Sequence, residues 1–179
     1  MNVLETDRLL LRWLSESDAE FIFGLLNEPS WIQFIGDRNV KTLDDARAYI
    51  ANGPVAMYHR EGFGLYMVER KEDGAPLGLC GLIKRKGLDD VDIGFAFRPA
   101  YWSKGYAFEA AAAVLHYAAN VLGLRRIVAI TVPDNQSSIK LLERLGLRFE
   151  KIVTLAEDNS ELMLFGKSLS QGADMRAAR

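Results

Sequence analysis

A short turn at residues 102–107, with the sequence Trp-Ser-Lys-Gly-Tyr-Ala, is the part of the chain whose residues most directly suggest chemistry. It leads into a stretch rich in Ala, Leu and Glu that predicts a helix from about Gly105 to Leu122. The first N–H groups of a helix have no internal partner and carry the positive end of its dipole. Gly105 and Ala107 are small enough to let a ligand approach the main chain. The turn therefore predicts an anion site suited to a pyrophosphate, although an ordinary glycine turn would explain the same residues.

The elements that would position this turn follow from the hydrophobic pattern. Residues 91–98 (VDIGFAFR) alternate as a strand does, and Pro99 ends the strand because it cannot donate to the ladder. The other predicted strands are Leu9–Leu14, Phe63–Arg70, Leu77–Arg85, Arg126–Val132, Leu147–Thr154 and Glu161–Lys167. The other predicted helices start at Ser17 with Glu20, at Thr42 with Asp45, and at Asn135, and end near Leu26, His59 and Leu145.

The resulting order is β, α, α, β, β, β, α, β, α, β, β. Hairpins followed by a β-helix-β unit predict an α/β (mixed α+β) fold, with a central mixed sheet and helices on both faces. We expect a single domain over residues 1–169, followed by a small, polar tail, 170–179, that frays.

Composition restricts the function. The net charge of −2 argues against a nucleic-acid partner, and no apolar run approaches the ~18–20 residues that span a membrane. The lone cysteine, Cys80, predicts no disulfide, and the two histidines, His59 and His116, are not spaced for a zinc site, so we expect no metal. The charged N-terminal stretch lacks the pattern of a signal peptide, so we expect a cytoplasmic protein. GxGxxG, Walker and GxSxG motifs are absent.

Three separated motifs carry a resemblance. They are ETDRLLLRWLSESDAE near the start, DIGFAFRPAYWSKGYAFEA in the middle and PDNQSSIKLLERLGLRFE towards the end. Their order and spacing resemble the GNAT superfamily of N-acetyltransferases, in its RimJ/RimL-like ribosomal-protein alanine/serine N-acetyltransferase branch, over roughly residues 5–167. The resemblance implies a GNAT-like sheet that is mostly antiparallel, and acetyl-CoA as co-substrate.

At the turn, Trp102 takes the first position of the branch's phosphate motif, and Ser103 stands where glycine is common. The resemblance implies that main-chain N–H groups from Ser103 to Phe108 hold the pyrophosphate, while the end of the central strand binds the pantetheine arm like an added strand. Lys104, Lys140 and Arg144 are candidates for the outer phosphates or are plain surface charges. The predicted cofactor-binding residues are Phe95, Ala96, Phe97, Arg98, Ser103, Lys104, Gly105, Tyr106, Ala107, Phe108, Asn135 and Lys140.

The same resemblance nominates three residues for catalysis. Asp92 stands where the branch usually has glutamate and is the candidate base, although an ordinary carboxylate at a strand start would look the same. Ser138 would donate a proton to the departing thiolate, or would simply satisfy the first turn of its helix. Asn135 would contact the pantetheine and also cap that helix, two roles that are compatible. A main-chain N–H near Phe95 is the expected donor to the developing oxyanion.

The amine acceptor is the least determined part. An α-amine, with a pKa near ~7.8, is neutral far more often at pH 7 than a lysine near ~10.4, and no strong base is evident. A peptide or protein N-terminus is therefore favoured over a small-molecule amine. Trp31, Phe34 and Arg38 are candidates for the acceptor cleft, although Trp31 and Phe34 would equally join two helices. A non-catalytic acyl-CoA-binding module and a homodimer both stay open.

Overall fold

The computed structural model describes residues 1–155, 159–170 and 172. Its strands are β1 Asn2–Glu5, β2 Leu9–Arg12, β3 Leu65–Arg70, β4 Pro76–Ile83, β5 Asp92–Phe97, β6 Arg126–Thr131, β7 Arg148–Thr154 and β8 Glu161–Ser168. Its helices are α1 Ala19–Leu26, α2 Pro29–Phe34, α3 Leu43–Ile50, α4 Ala56–Glu61, α5 Tyr106–Asn120 and α6 Gln136–Arg144.

All eight described strands form one sheet in the order β1-β2-β3-β4-β5-β6-β8-β7. Each neighbouring pair is antiparallel except β5 and β6, which are parallel and are connected through α5. The predicted fold class, a mixed and mostly antiparallel sheet flanked by helices, is confirmed. The predicted tail, 170–179, lies outside the described residues apart from positions 170 and 172.

The central strands bury both faces of the sheet. On β3, Tyr66 and Val68 belong to the larger core cluster and Met67 to the smaller one, as the alternation of side chains along a strand requires. Helix α5 packs its small residues into the larger cluster on one face of the sheet. Helices α1, α2 and α3 contribute to the smaller cluster on the other face. Cys80 is fully buried in the larger cluster.

The parallel pair β5–β6 is very short. Asp92 faces Val128 as its one register pair, and the Val128 N–H donates to the Val91 carbonyl at 3.1 Å. Beyond this point β5 continues along β4 to the pair Phe97↔Gly78, while β6 continues along β8. The two strands therefore separate, and a gap opens in the middle of the sheet.

Helical boundaries differ from the predicted ones where proline intervenes. The single helix predicted from Thr42 to His59 is α3, a π-helical turn at Ala51–Val55 and α4. Pro54 lies in that turn, because it has no N–H for the regular ladder. Helix α2, which begins at Pro29, was not predicted from the sequence.

The predicted cap is correct at α3 and wrong at α1. Thr42 Oγ1 accepts from the Asp45 N–H, and the Asp45 carboxylate accepts from the Thr42 N–H, both at 3.0 Å. Before α1, however, the Asp18 carboxylate accepts from the Ser15 N–H at 2.9 Å, and a 3-10 turn precedes the helix. Arg12 holds that Asp18 carboxylate through two nitrogens, which the local pattern around Ser17 did not reveal. Strand β1 was not predicted at all.

We predict that Gly81→Ala destabilises the protein by about 1–3 kcal/mol. A Cβ at this position would lie 2.1 Å from the Gly64 carbonyl oxygen, so the β3–β4 main chains would have to move apart. Gly53→Ala is the matched control, since nothing lies within 4 Å of its added Cβ. Urea unfolding of both variants measures the difference. Equal stability of the two would show that the strands adapt freely.

Candidate active site

The gap between β5 and β6 opens into a cavity of about 1090 Å³. Residues from both faces of the sheet line it: Trp31, Phe34, Tyr49 and Met57 on the α1–α4 side, and Tyr106, Phe108, Leu141 and Arg144 on the side of α5 and α6. The cavity thus runs through the sheet. A ligand in it could meet groups from both sides at the point where the strands separate.

The main chain of β5 faces this gap at alternate residues. The Arg98 N–H donates to Leu77 of β4 at 3.0 Å, whereas the Val91 carbonyl accepts from Val128 of β6. Because main-chain N–H and C=O groups alternate in direction along a strand, those of the odd-numbered residues of β5 point towards β6. Past Asp92 no strand of the described residues pairs with them on that side. The N–H and C=O of Phe95 are therefore open to the cavity. The resemblance predicted that the end of this strand binds the pantetheine arm and that a main-chain N–H near Phe95 donates to the oxyanion.

Trp102 connects the end of β5 to the turn that follows. Its indole N–H donates to the Phe97 carbonyl at 2.8 Å. Phe97 has the last carbonyl of β5 that points towards β6, and this oxygen is therefore already hydrogen-bonded. The Trp102 side chain is nevertheless 48% exposed. Trp102 therefore holds the turn against the strand and does not act as a core residue.

The turn itself requires left-handed backbone at two residues. Ser103 has φ +60° and Gly105 has φ +80°, and α5 begins at Tyr106. Glycine adopts this conformation without steric cost and serine does not, so Ser103 is a strained position. The lining of the cavity includes Ser103, Gly105, Tyr106, Ala107 and Phe108. The first N–H groups of α5 are thus next to the cavity, as an anion site requires.

Glu109, one turn into α5, fixes this turn to the N-terminal hairpin. Its carboxylate accepts from the Thr6 hydroxyl at 2.6 Å, from the Arg8 N–H at 3.0 Å and from Arg8 Nε at 2.7 Å. Arg8 Nη1 also donates to the Lys104 carbonyl at 3.0 Å. Burial alone would raise the pKa of Glu109, but the bonds from Thr6 and Arg8 outweigh it and lower the pKa. No local sequence signal indicated this long-range anchor.

Asp92 lies at the point where β5 and β6 separate. It is 1% exposed, and its Oδ2 accepts from Arg85 Nε at 2.8 Å. Its Oδ1 is buried and has no hydrogen-bond partner among the described residues. Burial raises the pKa of Asp92, and the nearby Arg85 charge only partly opposes this. Both residues line the cavity, which makes Asp92 a candidate base with one free oxygen. The sequence did not reveal Arg85 as its partner.

Asn135 and Ser138 line the opposite wall of the cavity. The Asn135 side chain accepts from the Ser138 N–H at 3.2 Å, which confirms the predicted N-cap of α6. The Ser138 hydroxyl forms no hydrogen bond with a described residue, so it is available to a ligand. Their proposed catalytic roles stay predictions.

The three predicted cleft residues all line the cavity on the α1–α4 side. Trp31 is also buried in the smaller core cluster, so lining a cleft and joining helices are both true of it. Ile32 and Ile35 line the same end, and both are unusually exposed for isoleucine. A hydrophobic helix of six residues after a proline was too short for its outward face to be recognised from the sequence.

Not every predicted cofactor residue lies in the cavity wall. Lys104 and Lys140 are exposed outside the lining. The Arg98 side chain extends towards α1, where its guanidinium lies 5.3 Å from the Phe21 ring centroid. Their roles in binding the cofactor remain untested predictions. Arg144 does line the cavity, with its guanidinium 4.4 Å from the centroid of the Phe108 ring.

Two other kinds of feature are absent from the described part of the chain. Among its helices none is both long and apolar enough to cross a membrane. Within the same residues, no group of three or more His, Cys, Asp or Glu side chains could hold a metal ion.

Comparison with known proteins agrees with this geometry. The family profile described as "Acetyltransferase (GNAT) domain" matches residues 8–148. The chain is 29% identical over 153 residues to the uncharacterized N-acetyltransferase YoaA of Bacillus subtilis, covering 84% of this chain and 85% of that protein. It is 27% identical over 157 residues to the [ribosomal protein uS5]-alanine N-acetyltransferase of Escherichia coli, covering 83% and 78%.

A solved structure shares the fold. It is that of RimL, a ribosomal L7/L12 α-N-protein acetyltransferase, in complex with coenzyme A. The TM-score is 0.81, with 97% of this chain and 100% of that chain covered, at 18% sequence identity. At this level of identity the likeness concerns the fold and not the acceptor.

We predict that Asp92→Asn becomes more stable relative to the wild type as the pH rises from about 4. The folded state holds the proton of Asp92 more tightly than the unfolded chain, whose ordinary pKa is 3.8, so folding stability falls as pH rises through this window. Asparagine cannot ionise and removes this dependence. Denaturant unfolding at several pH values measures the difference in unfolding free energy between variant and wild type.

The matched control is Asp89→Asn, a neighbouring carboxylate on the exposed surface. It makes the same change in charge on an exposed side chain, and so measures the effect of losing one negative charge without burial. A difference for Asp92→Asn that is constant with pH would contradict the buried, ionising role of this carboxylate.

Proposed function

Since the chain belongs to the acetyltransferase (GNAT) family, and is thus an acetyl-CoA-dependent N-acetyltransferase, we propose that it acetylates the N-terminal α-amine of a peptide or protein. The observation that carries this proposal is the position of Asp92, whose free Oδ1 lies at the point where an unpaired strand edge meets a cavity. A small-molecule amine is the alternative acceptor.

The cavity wall offers main-chain groups that would bind the pyrophosphate and the pantetheine arm of acetyl-CoA. N–H groups at the start of α5, from Ser103 to Phe108, would bind the pyrophosphate, with the helix dipole adding to the attraction. The open main chain of Phe95 would bond to the pantetheine arm in the manner of an added strand. Acetyl-CoA supplies the activated acetyl group, and every other step would fall to side chains and main-chain groups of this chain.

Asp92 is the proposed base. Its buried Oδ1 would accept the proton that an incoming ammonium must lose before its nitrogen can attack. A raised pKa makes the carboxylate a better proton acceptor, while Arg85 holds Oδ2 and so directs Oδ1. The Phe95 N–H would stabilise the negative charge that develops on the thioester oxygen. Ser138 would give its proton to the departing thiolate.

The preference for an α-amine rests on proton affinity. An α-amino group with a pKa near ~7.8 is about 2.6 units easier to deprotonate than lysine, a difference of ~3.5 kcal/mol. Deprotonating an α-amine therefore requires less of a single aspartate than deprotonating a lysine does. The names of RimL and of the E. coli relative support the same acceptor class, since both refer to ribosomal proteins.

One observation favours a non-catalytic acyl-CoA-binding role as the second candidate. Asp92 is one methylene shorter than the glutamate that is usual in the RimJ/RimL-like branch, and it is almost wholly buried and engaged by Arg85. A carboxylate so placed would need a water to reach an amine. The cytoplasmic location stays a prediction under either function, and a homodimer stays open.

We predict that acetyl-CoA stabilises the protein by about 2.7 kcal/mol at 100 times its dissociation constant. The variant Gly105→Glu should lose this shift, because its carboxylate would lie where the pyrophosphate binds. Thermal unfolding with and without acetyl-CoA measures both effects.

The control for this variant is Gly123→Glu. Gly123 has φ +68°, so a side chain there meets the same left-handed strain as at Gly105 but beyond the other end of α5. It should destabilise the protein and keep the full shift with acetyl-CoA. An unchanged shift in Gly105→Glu would show that the pyrophosphate lies elsewhere.

We also predict that Asp92→Asn lowers kcat by ~10²–10⁴-fold, as the loss of a general base does. Ser138→Ala should lower kcat less and leave the dissociation constant of acetyl-CoA unchanged. Steady-state release of coenzyme A with an acceptor peptide measures kcat, and calorimetry measures binding. Full binding without turnover in the wild type, on a broad panel of amines, would favour the acyl-CoA-binding role instead.

A further inference from the structure

We propose that the acceptor carries a carboxylate or other anionic oxygen group close to its amine, and that Arg38 binds this anion at the α1–α4 end of the cavity. The inference rests on the proposed function, since it concerns the molecule that is acetylated. It adds a charge to the acceptor that neither the fold nor the chemistry of acetyl transfer requires.

The charges at this end of the cavity are unbalanced. Arg38 lines it, and no ion pair joins Arg38 to any residue that the structure describes. The other charged groups there are already occupied: Arg85 lies 2.8 Å from Asp92, and Glu28 lies 3.9 Å from Arg98. Arg38, which is exposed at the mouth of the cavity, is thus a cation without an anion among the described residues.

Hydrogen-bond donors without acceptors lie in the same wall. Trp31 is 5% exposed, and its indole N–H has no partner among the described residues. Leaving such a buried donor unpaired is unfavourable, so it marks a place where an oxygen of a ligand would be stabilised. Tyr49 also lines this end. Burial raises the pKa of Tyr49, so its hydroxyl stays a donor at neutral pH, and the charge of Arg38 is close enough to act on it.

The rest of the wall is apolar. Ile32 and Ile35 of the α2 segment are 41% and 39% exposed, and Phe34, Met57 and Leu65 line the cavity beside them. Exposed apolar groups at the mouth of a cavity favour an apolar body in the ligand. The complement of this wall is therefore an apolar group attached to an anion.

The amine of the acceptor would lie beside Asp92, whose free Oδ1 would accept a hydrogen bond from the cationic nitrogen. The acceptor would accordingly have an amine at one end, an apolar body and an anionic group near Arg38. Two sources share this chemistry. One is a peptide with an acidic residue directly after an apolar N-terminal residue, as in the proposed function. The other is a free apolar amino acid, which would instead support the small-molecule alternative.

Two matched pairs of acceptors test the proposal and separate these sources. The first pair is leucine and leucinamide. The second pair is the C-terminally amidated tetrapeptides Leu-Glu-Ala-Ala and Leu-Gln-Ala-Ala. With the wild type, kcat/KM for the charged member of at least one pair should exceed that for the neutral member by about tenfold after correction for the fraction of neutral amine.

The decisive comparison uses Arg38→Gln. This variant should reduce the charged-to-neutral ratio to near one, and the change in ratio is free of differences in amine basicity because these are the same for both enzymes. Arg47→Gln is the control, since Arg47 is an exposed arginine of α3 that pairs with Asp44 outside the cavity. It should keep the wild-type ratio, and both variants should keep the acetyl-CoA shift.

The outcomes separate the two proposals. Equal rates for charged and neutral acceptors in the wild type, or a preference that survives Arg38→Gln, would overturn the anion site and leave the acetyltransferase intact. A wild type that binds acetyl-CoA and acetylates none of the four acceptors, nor any other amine, would overturn the proposed function and this inference with it.

Discussion

The separation of β5 from β6 after the Asp92–Val128 pair is the constraint on which the site depends. A sheet normally satisfies the main-chain groups of a central strand on both sides, and an unpaired group in the interior costs free energy. Here the main chain of Phe95 is left open towards β6 because the two strands are held by different neighbours. β5 stays with β4 over six register pairs, and β6 stays with β8 over six. The rest of the sheet therefore stabilises a defect that a ligand can fill.

The second requirement is a fixed position for the turn after β5. Trp102 bonds it to the end of the strand, and Glu109 bonds it to the hairpin between β1 and β2. Arg8 completes this link, because it contacts Glu109, the Lys104 carbonyl and the face of the Tyr106 ring. An anion site made of main-chain N–H groups needs such supports, since its geometry depends on the backbone and not on rotatable side chains. The strained Ser103 persists within this network.

Local patterns were enough to predict the sheet class, most strands and the turn with its helix. They were enough because period-2 alternation, proline and helix-forming residues act over a few neighbours. The partners of Asp92 and Glu109 could not be found in this way: Arg85 and Thr6 come close only through the register of the sheet and the packing of α5 on the hairpin. The π-helical turn contains Pro54, which has no N–H for the regular ladder, and the 3-10 turn after Ser15 contains Asp18, which Arg12 binds. The local pattern did not distinguish either turn from ordinary helix.

The burial of Asp92 links stability to function at this site. An ionised carboxylate with one unsatisfied oxygen destabilises the folded state, and Arg85 offsets only part of that effect, which is why the pKa is raised. In the proposed mechanism this same unsatisfied oxygen would accept the proton, because it has no competing partner among the described residues. A fully satisfied Asp92 would give a more stable sheet and a poorer proton acceptor. Arg85 therefore has to bind one oxygen and leave the other free, and a single contact through Nε to Oδ2 does so.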